Sequence, residues 1–194
     1  MRSQWIPNVE AEKVLAALTA ENRLVCEISM STGLRVGDIL RLKPEILEKR
    51  RFTIHEEKTG KTRTVYLPKE LRKRAAMLAG KKWVFEGRLN GNKHRTRQAV
   101  WKDLTRAAER FGLKRNLTPH SMRKIYAVDL YTKCGNIDKV RQALNHSGEA
   151  VTMVYALANA IDKKSKNELT KFEKSCKLKN KGGARKRVTK KRRG

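Results

Sequence analysis

Five stretches hold polar side chains that core packing does not call for, and their types suit the holding of an anion and the movement of a proton. In STGLRVGDIL, Gly33 breaks one helix and Asp38 stands near the start of the next, leaving Arg35 at the junction. Its guanidinium either forks onto a phosphate or pairs with Asp38 or another carboxylate. Lys58 lies at the mouth of a turn in HEEKTGKTRTVYLP, where a lysine can reach into a site and deliver a proton. Lys61 and Arg63 beside it suit plain phosphate contacts. In LTPHSMRKIY, Thr118 can cap, Pro119 suits the first helical position, and His120 and Arg123 follow at i and i+3 on one face. Amide donors at a helix start attract phosphate. His120 exchanges protons near neutral pH while Arg123 can hold two oxygens of an anion. Finally, His146 ends one helix in ALNHSGEAV and Tyr155 lies nine residues on in TMVYAL. A tight turn through Ser147-Gly148 would bring both to one cleft. Taken singly, a tyrosine in such a run packs in the core with its hydroxyl at the edge.

The elements that must position these groups follow from periodicity. Helices are predicted at about 8–20, 22–31 and 36–42. A strand-like texture follows at 45–48, 52–57 and 62–67, the last two flanking a turn with Thr59-Gly60. The helical period returns at 69–79, 95–111 (Val100, Trp101, Leu104, Ala107, Ala108, Phe111), 119–133, 137–145 and 149–159. The fold class is mainly α with a small antiparallel β-sheet (α+β).

Length and composition set the outer bounds. A chain of 194 residues with 39% apolar residues supports one ordinary domain, and a formal charge of +28 points to a polyanionic partner, nucleic acid first. No apolar run reaches signal or spanning length, so the chain reads as intracellular and soluble, with no membrane partner. Cys26, Cys134 and Cys176 are odd in number and far apart, so they read as reduced thiols, with no zinc or other metal site. Residues 161–194 hold 15 Lys or Arg against Asp162, Glu168 and Glu173. Asn167 to Lys177 has Leu169, Phe172 and Cys176 at helical spacing, whereas the run from Lys177 carries too little apolar surface to order alone.

In order along the chain, TGLR with Arg35, the turn Lys58, HxxR with His120 and Arg123, LNH with His146, and Tyr155 resemble the signature of the tyrosine recombinase (phage integrase) family. The resemblance covers roughly residues 8–160 and implies that family's catalytic-domain fold. It implies a catalytic domain at 1–160 and a C-terminal helix at 161–177 that either docks on its own domain or is exchanged between protomers, while composition alone makes 178–194 a basic disordered tail. It further implies that Arg35, Lys58, His120, Arg123 and His146 surround a DNA phosphodiester, that Tyr155 attacks it, and that Asp38 supports the site.

No metal, cofactor or ATP enters that chemistry: the 3′-phosphotyrosyl link conserves the phosphoester bond, and a 5′ hydroxyl from a partner strand reverses the attack. The activity implied is site-specific recombination of double-stranded DNA by a homotetramer, with DNA-bending accessory proteins, in a bacterial cytoplasm or nucleoid or a phage-infected cell. Lys61, Arg63, Lys124 and, in the tail, Arg185, Lys186 and Arg187 are candidate DNA contacts, the tail adding salt-sensitive affinity. The tail also resembles a nuclear import signal.

The chain departs from the signature in two residues. Lys124 stands where His is common, and Asn145 stands where LGH has Gly. A separate N-terminal DNA-clamping domain, common among relatives, is absent from the sequence, as in a catalytic fragment or a short single-domain relative. Two other functions fit the same residues: a type IB topoisomerase that nicks and reseals one duplex, and a catalytically inactive DNA-binding relative.

Overall fold

The computed structural model describes residues 5–113 and 116–145. The predicted helix at 149–159, the segments 161–177 and 178–194, and with them His146, Tyr155, Arg185, Lys186 and Arg187 lie outside the described residues.

Three helices come first: α1 (Asn8–Ala16), α2 (Ala20–Thr32) and the short α3 (Val36–Leu40). Strands β1 (Arg51–His55) and β2 (Thr62–Tyr66) form a two-stranded antiparallel hairpin, with Arg51 opposite Tyr66 and His55 opposite Thr62. Helices α4 (Lys69–Leu78), α5 (Arg97–Arg110), α6 (Pro119–Cys134) and α7 (Ile137–Ala143) complete the described chain. The expected α+β class is what the chain adopts. One predicted element is corrected: residues 45–48 are not a strand but part of a 3-10 turn over Pro44–Glu48. Pro44 fixes the first φ of that turn, and Ile46 and Leu47 lie against the core as neighbours instead of alternating across a sheet.

Helix α2 is the central element. Leu24, Val25 and Ile28 are fully or almost fully buried, and the helix packs against α1, α3, α4, α5 and α6. A smaller apolar cluster of Ala127, Val140 and Leu144 seats α7 on α6. The middle of α5 is held to the start of α2 by a polar clasp. Asp103 accepts from the Thr19 N–H at 3.1 Å, the Thr19 hydroxyl at 3.0 Å and the Asn22 amide at 2.6 Å. The Arg95 Nε donates to Asn22 at 2.6 Å, joining the approach to α5 to the same clasp.

Gly33 ends α2 in the left-handed region at φ +68°, and the ring of Tyr126 from α6 lies where a β-carbon would stand. Gly33→Ala therefore meets both left-handed strain, about 1–2 kcal/mol, and overpacking, about 1–3 kcal/mol. The expected result is a melting temperature lower by roughly 5 °C or more in a thermal scan. An unchanged melting temperature would mean that α2 and α6 are not pressed together at this point.

Candidate active site

The turn after α2 presents the first arginine. Gly33 reverses the chain, the Ser29 hydroxyl donates to the Leu34 carbonyl at 2.9 Å, and Arg35 becomes the residue flanking α3. The Arg35 guanidinium bonds the Glu56 carboxylate at 2.5 Å. Asp38 is not its hydrogen-bonding partner. Its carboxylate accepts from the Glu57 N–H at 3.2 Å and so steadies the turn that carries Lys58. Burial holds the Asp38 carboxyl above its usual value, and the Glu56 charge adds to the rise although the Glu57 N–H opposes it.

The hairpin turn closes through the Glu56 N–H on the Lys61 carbonyl at 2.9 Å and the Gly60 N–H on the Glu56 carbonyl at 2.9 Å. Gly60 takes φ +64°, which explains the Thr-Gly pair at the tip. Lys58 and Lys61 stand exposed on this turn. Arg63 faces inward instead: it donates to the Thr32 carbonyl at 2.5 Å and lies 3.8 Å from Glu56. Lys124 is likewise buried, on the core side of α6.

Helix α6 opens as its sequence implies, with Pro119 in the first turn and the Thr118 N–H donating to the Ser121 hydroxyl at 3.2 Å. His120 is half-buried in that first turn. Arg123, one turn deeper, is 1% exposed and donates to the Gly33 carbonyl at 2.5 Å and the Leu144 carbonyl at 2.7 Å. It thereby ties the turn before Arg35 to the end of α7. Burial, with the Arg35 charge next, lowers the Arg123 pKa to about 10, which leaves it charged at neutral pH. At the end of α7, Asn145 takes φ +49°, the one non-glycine residue with positive φ among those described. Glycine adopts that conformation without strain, and asparagine tolerates it better than most side chains, so the expected Gly-to-Asn departure at this position keeps the turn.

Arg35, Lys58, His120 and Arg123 all line one cleft of about 450 Å³. The sequence reading missed three further lining residues: Arg97, Gln98 and Trp101 from the start of α5. Trp101 was expected on the apolar face of its helix, yet it is 44% exposed at the cleft. Among the described residues no three His, Cys, Asp or Glu side chains are grouped to hold a metal ion, and no helix is long and apolar enough to cross a membrane. Cys26 is buried and Cys134 half-buried, each as a free thiol.

Glu56 was also missed, although a signal existed. Phe52, Ile54 and Glu56 share the inward parity of β1, so a charge at the third position requires a buried cation. Burial alone would push the Glu56 carboxyl up. Hydrogen bonds from Thr59 and Arg35, the Arg35 charge and the adjacent Asn145 amide outweigh it and hold the pKa below the ordinary carboxylate value of 4.5. A lowered carboxylate pKa contributes stability that is full above the unfolded value and is withdrawn as the pH falls through the folded one. Wild-type protein should therefore lose stability to acid below about pH 4.5 more steeply than Glu56→Gln, as read by denaturant titration at a series of pH values. Parallel curves would remove Glu56 from the ionic network.

Comparisons with known proteins bear on the fold and the family. The integrase of Escherichia phage P2 is 29% identical over 154 residues, covering 78% of this chain and 42% of that protein. Tyrosine recombinase XerD of Listeria monocytogenes is 29% identical over 178 residues, covering 79% and 59%. The chain thus spans about half the length of the curated relatives it matches. Among solved structures, a lambda integrase dimer bound to a COC′ core site superposes with a TM-score of 0.64 at 21% identity, covering 80% of this chain and 48% of that one. XerA recombinase superposes with a TM-score of 0.62 at 20% identity, covering 78% and 58%. The described fold is that of these recombinases. A family model described as the phage integrase family matches residues 4–161, the span that contains the cleft and everything converging on it, and the chain belongs to that family.

Proposed function

We propose that this chain is the catalytic portion of a site-specific DNA recombinase that cuts and rejoins strands through a 3′-phosphotyrosyl bond to Tyr155. The observation that carries this reading is the convergence of Arg35, Lys58, His120 and Arg123 on one cleft from three separate parts of the sequence. Tyr155 attacks the phosphorus, the bond to the 5′ oxygen of the next nucleotide breaks, and that oxygen leaves as a hydroxyl. Arg35 and Arg123 bond the nonbridging oxygens and hold them more strongly as negative charge builds. An arginine has five N–H donors, so Arg123 can serve both the backbone and a phosphate. His120 assists removal of the Tyr155 proton, Lys58 protonates the departing oxygen, and His146 hydrogen-bonds the phosphate.

Lys61 at the hairpin tip suits a direct backbone contact, whereas inward-facing Arg63 acts on the site through Glu56. The lambda integrase structure is of a dimer bound to a COC′ core site. Strand exchange between two duplexes needs four such sites, so the working unit here is a tetramer on DNA, with DNA-bending partners and a C-terminal segment at 161–177 exchanged or docked in place. The tail with Arg185, Lys186 and Arg187 adds affinity without selecting sequence. Such chemistry belongs where the DNA is, in a bacterial cytoplasm or nucleoid.

The test is to incubate the full chain, in EDTA, with a pool of randomised nicked duplexes and isolate covalent adducts on denaturing gels. The expected outcome is an enriched duplex sequence whose nucleotide maps to Tyr155 by mass spectrometry. Attachment to another side chain, or no adduct from any duplex, would overturn the reading.

A further inference from the structure

Arg35, Asp38 and Arg41 follow one another at intervals of three along α3 and its two flanking residues, which sets them along one edge of that short helix. All three reach the hairpin turn. The Arg35 Nη1 donates to Oε2 of Glu56 at 2.5 Å, Asp38 accepts from the Glu57 N–H at 3.2 Å, and the Arg41 guanidinium pairs with the Glu57 carboxylate. The next residue is Lys58. Of the three links the last is a partly exposed surface pair that contributes little, whereas the Glu56 side chain is completely buried.

Glu56 does more than pair with Arg35. The same oxygen, Oε2, also accepts from the Thr59 hydroxyl at 2.9 Å, and Thr59 follows Lys58 directly. One buried atom is thus bonded both to an arginine of the cleft and to the neighbour of its lysine. The Glu56 backbone is pinned as well: its N–H donates to the Lys61 carbonyl and its carbonyl accepts from the Gly60 N–H, both at 2.9 Å. An arginine has five N–H donors, so the one that Arg35 gives to Glu56 leaves others for a phosphate.

We propose that Oε2 of Glu56 is a junction that sets the Lys58 turn relative to Arg35, so that the proton donor and the phosphate-holding arginine keep one geometry before substrate binds. Glu56 is a positioning residue and does not touch the phosphate. Thr59 carries its effect to Lys58. This inference rests on the cleft being the cleavage site with Lys58 as its acid, and it assigns roles to two residues outside the six catalytic ones.

The test uses the full chain, the duplex selected above, and a second copy of that duplex in which sulfur replaces the bridging 5′ oxygen at the cut. A thiolate departs without a proton, so the sulfur duplex does not need an acid. Lys58→Ala should be slow on the oxygen duplex and regain most of its rate on the sulfur duplex. Thr59→Val should repeat that pattern in milder form: about tenfold slower on oxygen, the scale of losing a group that orients an active side chain, and within about threefold of wild type on sulfur. Thr59→Ser, which keeps the hydroxyl, should match wild type. Glu56→Gln should be slow on both duplexes and slower on oxygen, because it loosens Arg35 as well, and its loss should not multiply with that of Thr59→Val. Wild-type rates in Thr59→Val and Glu56→Gln, or equal losses by Thr59→Val on the two duplexes, would overturn the proposal, since damage to the fold does not distinguish oxygen from sulfur.

Nitrogen-15 NMR of the free protein supplies an arm that needs no duplex. Glu56→Gln should move the Arg35 guanidinium signal, and both Glu56→Gln and Thr59→Val should speed amide exchange across residues 57–61. Unchanged spectra would overturn the junction. Failure of wild-type protein to form any adduct would instead overturn the recombinase reading, and failure of sulfur to rescue Lys58→Ala would overturn the acid role of Lys58, with the NMR arm deciding the junction in either case. Should Glu56→Gln fail to fold, Thr59→Val carries both measurements.

Discussion

Tyr155→Phe is expected to bind the selected duplex within about threefold of wild type and to form no covalent adduct with it. The substitution removes one oxygen. That oxygen is the nucleophile in the proposed step, and phenylalanine offers no atom that can form the 3′ phosphodiester. Binding, by contrast, draws on a surface with a formal charge of +28 over the chain, to which a neutral phenol contributes little. The measurement is adduct yield on a nicked suicide duplex beside a filter-binding isotherm. Substantial cleavage by the variant would transfer the attack to another side chain.

Arg123→Ala is expected to damage the fold and the chemistry together. The side chain is among the largest that are fully buried, and its two bonds reach the Gly33 and Leu144 carbonyls across 90 and 21 residues of sequence. Truncation orphans both carbonyls, at about 1–3 kcal/mol each, and leaves a cavity besides. A loss of roughly 3–5 kcal/mol is a large share of an ordinary domain's stability, so the melting temperature should fall by about 10 °C or more. Cleavage should vanish even at temperatures where the variant is folded. Arg123→Lys separates the contributions, because a lysine keeps the charge but is a point donor that cannot span two carbonyls and a phosphate. It should regain part of the stability and little of the rate. A variant alanine protein as stable as wild type would show that this side chain is not the internal tie described.

Much of this arrangement was readable before any coordinates, and the reason is local. Helix α6 announces its start through Thr118, Pro119 and Ser121, and the turn at Gly33 announces the end of α2, so Arg35, His120 and Arg123 could be placed on element ends from neighbouring residues alone. The turn carrying Lys58 was legible from Thr59-Gly60 for the same reason. What local pattern does not carry is pairing across the chain. Arg35 and Glu56 are 21 residues apart, and nothing near Arg35 distinguishes Glu56 from Asp38 as its partner. Arg63 looked like a surface contact because β2 is mostly exposed, yet its position opposite Ile54 turns it toward the core. The 3-10 turn at Pro44–Glu48 was mistaken for strand because two adjacent apolar residues satisfy either period over so short a run. Arg97, Gln98 and Trp101 join the cleft beside Val36 and Gly37 of α3, a long-range packing that helical periodicity does not encode.

The double duty proposed for Arg123 bears on how such chains would decay. A descendant that has stopped cutting DNA but still folds must retain this arginine, since its two backbone bonds are needed whether or not a phosphate ever arrives. Lys58, out on an exposed turn, is under no such obligation. Among degenerate copies the turn lysine should therefore disappear early and the interior arginine late, so an intact arginine in a genome says little about whether its owner still works.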